Sequence, residues 1–408
     1  MPTDNRHPPD SYRGVNQILF ISHKYPPTIG GMEKQSYELV QGMARTHKVH
    51  TVVHQSEEES KVAFFAKLKG RVKKLLREHP DVDVIHLNDG LMGLFCLWLR
   101  SYTKIPVVIT FHGLDLVFPN AIYQRILRNK YTGYAGAICV STATAEEAIK
   151  RGFAPEKIFV VPNGVDRQLA DFQHDKQEAL RFLREKFGRD LSDKKILVTL
   201  GRPVKRKGFS WFLKNVIPTL PADVSLLMIG PLSPPKKENF WSKIVPKSLR
   251  DRLELLTGGV NDEAEIRQLL QQEKYKNRVL QTGKLPFPRL LAMLNLADLF
   301  IMPNVKMPGD AEGFGLVALE ASLCQTVVLA SSLEGIPEAI QDGKNGYLLP
   351  AGDAKVWTET IKKKLADPEK LRADGERFQR FTLESYGWEK MAAGYAEVFM
   401  KVRRRVDR

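Results

Sequence analysis

The stretch ILVTLGRPVKRKG (residues 196–208) joins a short apolar run to a basic loop that ends in a glycine. A bounded run rich in Val, Ile and Leu is typical of a strand that is buried on both faces of a parallel sheet. The helix-like segment FSWFLKNV follows directly. The same unit of apolar run, polar loop and amphipathic helix recurs along the chain, and this alternation predicts a doubly wound parallel α/β fold.

The apolar runs form two series, separated by a charged segment without a strand-like run at 166–195. We therefore predict two Rossmann-like domains, joined near residues 167–193. Ligands of open α/β sheets bind outside the carboxyl ends of the strands, so the two domains are expected to face each other across a cleft. The runs are 17–22, 49–54, 83–88, 107–112, 136–141 and 158–163 in the first series, and 196–201, 224–230, 279–283, 299–304, 326–331 and 346–349 in the second.

Length and composition agree with this organisation. A chain of 408 residues with 43% hydrophobic and 27% charged residues can bury the cores of two domains. The polar start, residues 1–14, is predicted to be a disordered leader. No apolar run approaches the roughly 18 residues that a membrane-spanning helix needs. Cys96, Cys139 and Cys324 lie far apart within apolar runs, which predicts buried thiols in a soluble cytoplasmic protein.

The net charge of +15 predicts polyanionic partners, namely nucleotides, an anionic membrane or nucleic acid. Nucleic acid is the weakest of these because no zinc-finger, ribonucleoprotein or helix-turn-helix signature is present. Residues 61–79 predict a basic amphipathic helix, which either lies in an anionic membrane interface or packs its apolar stripe on the sheet while its lysines face solvent or lipid. The predicted stripe consists of Val62, Phe65, Leu68, Val72 and Leu75.

The loop GRPVKRKG (201–208) and the stretch AEGFGLVALEA (311–321) both predict an anion site. Arg202 and Lys207 follow a strand and are placed to clamp a diphosphate from two directions, although a merely solvated basic loop is the alternative. Gly313 and Gly315 let the backbone approach a ligand closely. The unpaired amides of 315–317 open a helix, and such an N-terminus binds anions by itself.

Two carboxylates, Glu312 and Glu320, flank this anion site. Glu320 lies one turn into the helix and has an alternative role in complementing the helix dipole, whereas Glu312 precedes the helix. Carboxylates beside a phosphate site make sense where the ligand also presents vicinal hydroxyls, which donate hydrogen bonds to them. A pyrophosphate with a polyol on each side is a nucleoside-diphosphate sugar.

In this order and spacing the motifs resemble the retaining family 4 glycosyltransferases of GT-B fold, over nearly the whole chain after residue 15. The resemblance implies an N-terminal acceptor domain (15–190), a C-terminal donor domain (191–384) and a C-terminal helix (385–408) that crosses back onto the first domain. It rests on the Gly30-Gly31 loop, FHG (111–113), VVPNGVD (160–166), GRPVKRKG (201–208), the Glu-x7-Glu pattern from Glu312 to Glu320, and GIPEAIQDGKNGYLL (335–349).

The resemblance also implies roles for individual residues. Arg202 and Lys207 hold the leaving diphosphate, Glu312 accepts hydroxyls of the transferred sugar, and His112 lies beside the reacting carbon. Glu320 accepts the ribose hydroxyls, and the base lies against 282–286. The implied catalytic residues are His112, Arg202, Lys207 and Glu312. The implied donor-binding residues are Gly31, Arg202, Lys207, Leu285, Glu312, Phe314, Gly315, Leu316 and Glu320.

The implied reaction is transfer of a sugar from a nucleoside-diphosphate sugar, UDP favoured and GDP-mannose kept as an alternative, to a glycan or lipid-linked glycan of envelope or polysaccharide synthesis. Acceptor-binding residues are not indicated. The implied front-face route needs no protein nucleophile, whereas a double displacement would need a carboxylate such as Asp115. A nucleotide-sugar epimerase and a non-catalytic nucleotide-sugar-binding protein remain as alternatives.

No cofactor or metal is predicted, so the reaction is expected to be metal-independent. Asp81-Val-Asp83 has the letters of a metal-binding Asp-x-Asp motif, but it precedes a strand and so should lie away from the cleft. His50, His54 and His86 are interpreted as strand residues. The chain departs from the family pattern at Gln325 and Val327, where small Gly followed by Pro is usual, and at Asn304, where Ser is frequent.

Overall fold

The computed structural model describes residues 14–28, 30–172, 175–231 and 259–406. Within them lie two six-stranded sheets whose ladders are all parallel. The predicted pair of Rossmann-like α/β domains is thereby confirmed as a fold. The leader at 1–14 lies outside the described residues apart from Gly14, so its disorder stays a prediction.

Each strand falls on one of the apolar runs. The first sheet contains β1 (Gln17–Ser22), β2 (Lys48–Val53), β3 (Val84–Leu87), β4 (Val107–Phe111), β5 (Gly136–Cys139) and β6 (Ile158–Val160). The second contains β7 (Lys195–Leu200), β8 (Val224–Ile229), β9 (Val279–Gly283), β10 (Leu299–Met302), β11 (Val327–Ser331) and β12 (Tyr347–Leu349).

Helices connect the strands. Those in the first half of the chain are α1 (Gly31–Ala44), α2 (Lys61–Glu78), α3 (Gly90–Phe95), α4 (Leu99–Tyr102), α5 (Leu114–Val117), α6 (Ala121–Lys130), α7 (Thr142–Ile149) and α8 (Lys176–Phe187). Those described in the second half are α9 (Phe209–Asn215), α10 (Glu263–Leu270), α11 (Glu273–Lys276), α12 (Phe287–Leu296), α13 (Leu316–Leu323), α14 (Ile336–Ala339), α15 (Ala354–Leu365), α16 (Pro368–Ser385) and α17 (Trp388–Val406). Short 3-10 turns cover Tyr131–Gly133, Pro155–Lys157, Arg167–Asp171, Lys205–Lys207 and Ile217–Thr219.

Strand order places a crevice in each sheet. The first sheet runs β2-β1-β3-β4-β5-β6 and the second β9-β8-β7-β10-β11-β12. The order of connection reverses between β1 and β3 in the first sheet and between β7 and β10 in the second. Loops that follow the two strands at such a switch point diverge and leave room for a ligand. The Gly30-Gly31 loop, the basic loop 201–208 and the segment 303–315 all begin at these points.

Both faces of the first sheet are covered, which explains why its central strands are largely apolar. Successive residues of a strand point to opposite faces. Leu19 therefore packs with Phe64 of α2 on one face, while Phe20 packs with Phe399 of α17 on the other. The predicted return of a C-terminal helix to the first sheet is thus confirmed.

That helix begins at Trp388 rather than at 385, because Tyr386 leaves the helical conformation and ends α16. The Tyr386 hydroxyl donates a hydrogen bond of 2.7 Å to the Glu338 carbonyl. A Cβ on Gly164 would lie 2.5 Å from the Trp388 nitrogen, so the chain passes closely over the 160–166 motif at this corner. The exact domain boundaries at 190/191 and 384/385 stay predictions, and α8 already packs Ala179 and Leu183 into the core of the second sheet.

The apolar stripe predicted for α2 is wrong at one end. Val62 is 80% exposed, and the helix instead buries Phe64, Leu68, Val72 and Leu76. Residues two apart on a helix lie about 200° apart around its axis, so Val62 and Phe64 face opposite sides. The alternative of a helix packed on the sheet is therefore found, with most of its lysines exposed.

Two of the three departures from the family pattern, Gln325 and Val327, are accommodated after α13. Gln325 takes the left-handed conformation, with φ of 59°, just beyond the end of the helix. That conformation is a usual helix stop and favours glycine. Val327, 1% exposed, opens β11 as an ordinary buried strand residue.

Candidate active site

The basic loop after β7 is held tightly against the loop after β10. Its 3-10 turn, Lys205–Lys207, ends at Gly208, which has φ of 69°. A Cβ at Gly208 would lie 1.9 Å from the Pro303 carbonyl oxygen, so only glycine allows this approach. The close packing sets the cations of the first loop beside the carboxylates of the second.

Glu312 lies at the centre of this contact. Lys207 Nζ is 2.7 Å from Glu312 Oε2, and Arg206 pairs with the same oxygen. Asn304 Nδ2 donates a third hydrogen bond of 3.1 Å to it. Arg206 Nε also lies 3.1 Å from Asp310 Oδ1. The Glu312, Lys207 and Arg206 side chains are only 12–13% exposed.

The charges of this cluster are mutually stabilised. Burial alone would raise the pKa of Glu312, but attraction to Arg206 and Lys207 outweighs it and lowers that pKa to about 2. Burial lowers the pKa of Lys207, and Glu312 opposes that shift. Arg202 is more exposed than these residues, and it interacts electrostatically with Arg206 and Glu312. The site therefore presents pre-organised charges rather than mobile ones.

The backbone of Glu312 is clamped from the loop after β11. Its amide donates a hydrogen bond of 2.6 Å to Glu334 Oε2, and its carbonyl accepts one of 3.0 Å from the Gly335 amide. Glu334 has φ of 53°, a conformation that costs a non-glycine residue on the order of 1 kcal/mol. Burial raises the pKa of Glu334 to about 7, although the bond from the Glu312 amide opposes this shift.

The segment 313–316 leads into α13. Gly315, with φ of 103°, forms the N-cap of that helix. The Phe314 ring is 3% exposed and packs edge-on against Tyr386, so only the backbone of Phe314 can face a ligand. One turn into α13, the Glu320 side chain is 15% exposed and lies 3.8 Å from Lys34 Nζ of α1. Burial raises the pKa of Glu320.

Loops of the first sheet contribute two of the predicted residues, Gly31 and His112, to the site that contains the segment 312–316. Gly31 opens α1 opposite α13, and a Cβ on it would lie 3.4 Å from Leu316 Cδ1. His112 follows β4, and a Cβ on Gly313 would lie 1.9 Å from the His112 carbonyl oxygen. The structure thus brings Gly31, His112 and the segment 312–316 together across the two sheets.

The imidazole of His112 is oriented by backbone groups. Its Nε2 donates a hydrogen bond of 2.9 Å to the Asn88 carbonyl oxygen, which leaves Nδ1 as an acceptor in the neutral ring. Burial lowers the pKa of His112 and favours that neutral form. Asp115 accepts hydrogen bonds from the backbone amides of His112 at 3.0 Å and Gly90 at 3.1 Å. The Asp115 carboxylate is therefore a capping group of this turn.

Leu285 lies in the loop between β9 and α12, partly buried against the core of the second sheet. Phe287, which opens α12, is 46% exposed, and Lys34 Nζ lies 5.7 Å from the centre of its ring. Leu285 thus follows a strand of the second sheet on the side where α1 approaches.

Asp83 lies at the opposite, amino-terminal edge of the first sheet, as its position before β3 predicts. Its Oδ2 accepts hydrogen bonds from the backbone amides of Asn16 at 2.7 Å and Gln17 at 3.0 Å. His50 and His86 are strand residues, and His54 comes one residue after β2. Among the described residues, no group of three or more His, Cys, Asp or Glu side chains is arranged to hold a metal ion.

Sequence reasoning missed Arg206, Asp310 and Glu334. Arg206 lies between two lysines, and nothing in the sequence distinguishes it from Lys205, which turns outward toward Glu265. Asp310 and Glu334 come from loops whose contact depends on strand order. The only feature of the sequence that could have indicated Glu334 is its position directly before a glycine in a loop.

A cleft of about 600 Å³ opens beside this cluster, between the two sheets. From the first sheet it is lined by Gly113 and the start of α7, and from the second by 306–312, 333–335 and 337–338. Thr142 closes one side, since its amide and hydroxyl donate hydrogen bonds of 3.0 Å and 2.9 Å to Glu338.

Two facing Rossmann-like sheets, with a buried cation–carboxylate cluster at the switch point of the second sheet, define a two-domain α/β protein with its candidate site between the sheets. Comparison with known proteins gives the family. The sequence profile described as glycosyl transferases group 1 matches residues 182–380, and the profile for glycosyltransferase family 4 matches residues 29–169. A D-inositol 3-phosphate glycosyltransferase of Thermobispora bispora is 30% identical over 350 residues, covering 80% of this chain and 72% of the relative. The chain belongs to the family 4 glycosyltransferases.

Two further similarities extend over 93% of the chain. The GDP-mannose-dependent alpha-(1-6)-phosphatidylinositol monomannoside mannosyltransferase of Mycolicibacterium smegmatis is 24% identical over 407 residues, covering 93% of this chain and 97% of that protein. The crystal structure of HepE from Anabaena in complex with UDP-glucose superimposes with a TM-score of 0.69 at 18% identity, covering 93% of this chain and 98% of that one. This likeness shows the GT-B fold.

Proposed function

We propose that the protein is a retaining glycosyltransferase that moves a sugar from a nucleoside-diphosphate sugar to a hydroxyl of a glycan or lipid-linked glycan. The observation that carries the proposal is the buried cluster of Lys207, Arg206 and Glu312 beside the amino terminus of α13. Cations and helix amides suit a diphosphate, and the carboxylate suits sugar hydroxyls. Neither the epimerase nor the non-catalytic alternative is favoured by the comparisons.

In this proposal Lys207 and Arg202 stabilise the diphosphate as it leaves, Glu312 accepts hydroxyls of the transferred sugar, and Glu320 accepts the ribose hydroxyls. The amides of Phe314, Gly315 and Leu316, with the backbone at Gly31, complete the donor site, and the base lies against Leu285. His112 presents Nδ1 on the sugar side as a neutral acceptor.

A front-face route is proposed because electrostatic stabilisation of the leaving group is supplied by this cluster. Asp115, the carboxylate considered for a double displacement, is engaged by two backbone amides, and this engagement supports the front-face route. The departing phosphate itself then receives the acceptor proton, so the protein has to hold the two substrates in register rather than form a bond to the sugar.

The experiment that tests the function is a donor screen. A ligand present at a hundred times its Kd stabilises the folded state by about 2.7 kcal/mol, so a true donor raises the melting temperature by several degrees. We expect either UDP-sugars or GDP-mannose to do so, and UDP-sugars are favoured. The same donor should release its nucleoside diphosphate when acceptor extracts are added. A chain that responds to no nucleoside diphosphate contradicts the proposal.

We expect transfer to persist in EDTA. The cations of the cluster take the place that a divalent ion has in metal-dependent transfer, and the Asp81-Val-Asp83 motif lies at the far edge of the first sheet. The measurement is nucleoside-diphosphate release before and after exhaustive chelation, with a known metal-dependent transferase treated in parallel. Loss of activity that magnesium or manganese restores would show the metal-independent proposal to be wrong.

We also propose that the enzyme binds reversibly to an anionic membrane surface, on its cytoplasmic side. No helix among the described residues has the length and hydrophobicity needed to cross a bilayer. Support comes from the exposed basic face of α2 beside the aromatic side chains of Phe95 in α3 and of Trp98, which precedes α4. Lys69 and Lys73 lie 5.5 Å and 5.7 Å from the Trp98 ring, and Phe95 is 43% exposed. Cations next to exposed aromatic rings suit a lipid interface.

The protein should therefore pellet with phosphatidylglycerol vesicles at low salt and be released at high salt. Each cation near such a surface contributes about 1 kcal/mol, and salt screens that attraction. Combining Lys69→Glu, Lys73→Glu and Lys74→Glu should weaken pelleting without changing donor affinity. The matched control combines Lys355→Glu, Lys362→Glu and Lys363→Glu on α15, on the second half of the chain. If both triple variants pellet equally, α2 is not the membrane contact.

A further inference from the structure

The face of the first sheet that α1 and α17 cover changes from apolar to polar along its strands. Side chains two apart on a strand share a face. On this face β3 and the residue that follows it place Val84, His86 and Asn88, and β4 places Val108 and Thr110. The apolar residues lie at the amino ends of the strands, and the polar ones lie toward the carboxyl ends, where the candidate active site begins.

These polar residues belong to a hydrogen-bonded network that joins the sheet to both helices. Gln35 Nε2 of α1 donates a hydrogen bond of 3.2 Å to the Tyr395 hydroxyl of α17, and Thr110 Oγ1 donates another of 3.2 Å to the same hydroxyl. His86 Nε2 lies 2.8 Å from Thr110 Oγ1. The side chains of the network are completely buried, namely Gln35, Ser36, His86, Asn88, Thr110 and Tyr395.

Asn88 connects this network to the candidate active site. Its Nδ2 donates hydrogen bonds of 2.8 Å to Gln35 Oε1 and 2.7 Å to Ser36 Oγ, both just over one turn after Gly31 in α1. Its backbone carbonyl oxygen accepts the hydrogen bond of 2.9 Å from His112 Nε2. A single residue therefore contacts His112 and also holds the helix that begins at Gly31.

Stability alone does not explain a buried polar network in this position. A buried hydrogen bond adds little net stability, and apolar side chains of the same shape would stabilise the packed sheet about as well. A network instead favours one arrangement of the elements that it joins, because each buried donor has to meet its acceptor. The elements joined here are α1, the carboxyl ends of β3 and β4, and α17.

We propose that Asn88 is a positioning residue for sugar transfer, which holds His112 in register with the amino terminus of α1, and that Tyr395 supports it through Gln35. This inference rests on the proposed function, because that function places His112 and Gly31 at the donor. A displacement of about 1 Å near reacting groups can lower a rate by up to about a hundredfold. The C-terminal helix thereby influences transfer through the two side chains that separate it from His112.

The first test compares two tyrosines that each lose one buried hydroxyl. Tyr395→Phe keeps the ring that packs against His86 and Phe399 but removes the acceptor of Gln35 and Thr110. We expect kcat for nucleoside-diphosphate release to fall about fivefold, the factor of one net hydrogen bond, while the donor KM changes less. Asn88→Ala, which removes both bonds to α1, should lower kcat about tenfold or more.

Tyr275→Phe is the matched control. Its hydroxyl is equally buried, but it donates a hydrogen bond of 2.9 Å to the Leu213 carbonyl in the core of the second sheet. This variant should lose a similar amount of thermal stability and keep the wild-type kcat. Equal kcat values in Tyr395→Phe and Tyr275→Phe overturn the proposal. Because Tyr395→Phe removes one hydroxyl only, it decides the question even if Asn88→Ala does not fold.

The second test observes His112 directly and needs no substrate. The ring proton on His112 Nε2 should give a slowly exchanging NMR signal, because it is held in the bond to the Asn88 carbonyl oxygen. The signal is assigned by its loss in His112→Gln. It should exchange faster in Asn88→Ala and in Tyr395→Phe but not in Tyr275→Phe, and an unchanged signal in both network variants contradicts the positioning role. Failure of the proposed function is seen separately, as the lack of any thermal shift with UDP or GDP.

Discussion

Replacing Lys207 with alanine is expected to lower kcat about a hundredfold or more, because one pre-organised charge contact to the leaving group is lost. The ammonium lies 2.7 Å from Glu312 Oε2 in a site that excludes most solvent. Its charge is therefore weakly screened when a diphosphate binds. The measurement is steady-state nucleoside-diphosphate release with the donor found in the screen.

Lys205→Ala is the matched control, since Lys205 lies in the same 3-10 turn but turns outward toward Glu265, 3.8 Å away. That pair is partly exposed, and such ion pairs contribute at most about 1 kcal/mol. The control variant should keep near-normal kcat. If Lys207→Ala also turns over near the normal rate, Lys207 has no role in stabilising the leaving group.

Much of this site could be predicted from the sequence because its signals are local. Strand runs such as 196–201 are bounded by glycine and polar residues. The residue types of the loop that follows such a run indicate the chemistry of the ligand that the loop binds. Gly208 and Gly315 do take left-handed conformations at the points where the loops turn into helices. A strand–loop–helix unit therefore carries both its fold and its ligand class in about twenty consecutive residues.

The remaining features depend on distant parts of the chain. Strand order decides that β10 lies beside β7, and only this neighbourhood brings Arg206 to Glu312. Glu334 reaches the same place from the loop after β11. The apolar stripe predicted for α2 was wrong at one end for a different reason. The apolar residues of 61–79 fit two rotations of the helix about its axis, and the sequence does not determine which rotation faces the sheet. Contacts between loops and the rotation of a helix are settled by packing.

Glu312→Gln is expected to lose transfer as severely as Lys207→Ala, but with the opposite effect on nucleotide affinity. The amide keeps the shape of the side chain, yet it no longer neutralises Lys207 and Arg206. UDP or GDP should then bind as tightly as before or more tightly, because the freed cations attract the diphosphate more strongly. The donor sugar, by contrast, loses the carboxylate that accepts its hydroxyls.

Substitution of Glu312 also affects the stability of the fold, because its carboxylate is buried between two cations. Removing one partner of such a cluster typically costs about 3–5 kcal/mol. Glu312→Ala should therefore lower the melting temperature clearly, and Glu312→Gln, which can still accept from Asn304, should lower it less. Both variants are assayed well below their melting temperatures so that lost activity reports chemistry.

Glu320→Gln is the matched carboxylate variant for this experiment. Glu320 lies on α13 near Lys34 rather than in the cation cluster, and its proposed partner is the ribose. We expect Glu320→Gln to weaken UDP or GDP binding about tenfold, by loss of a charge-assisted hydrogen bond, while Glu312→Gln does not weaken it. Opposite responses of nucleotide affinity would show that the two carboxylates bind different sugars of one donor. If Glu312→Gln weakens nucleotide binding and Glu320→Gln leaves it unchanged, the orientation of the donor proposed here is reversed.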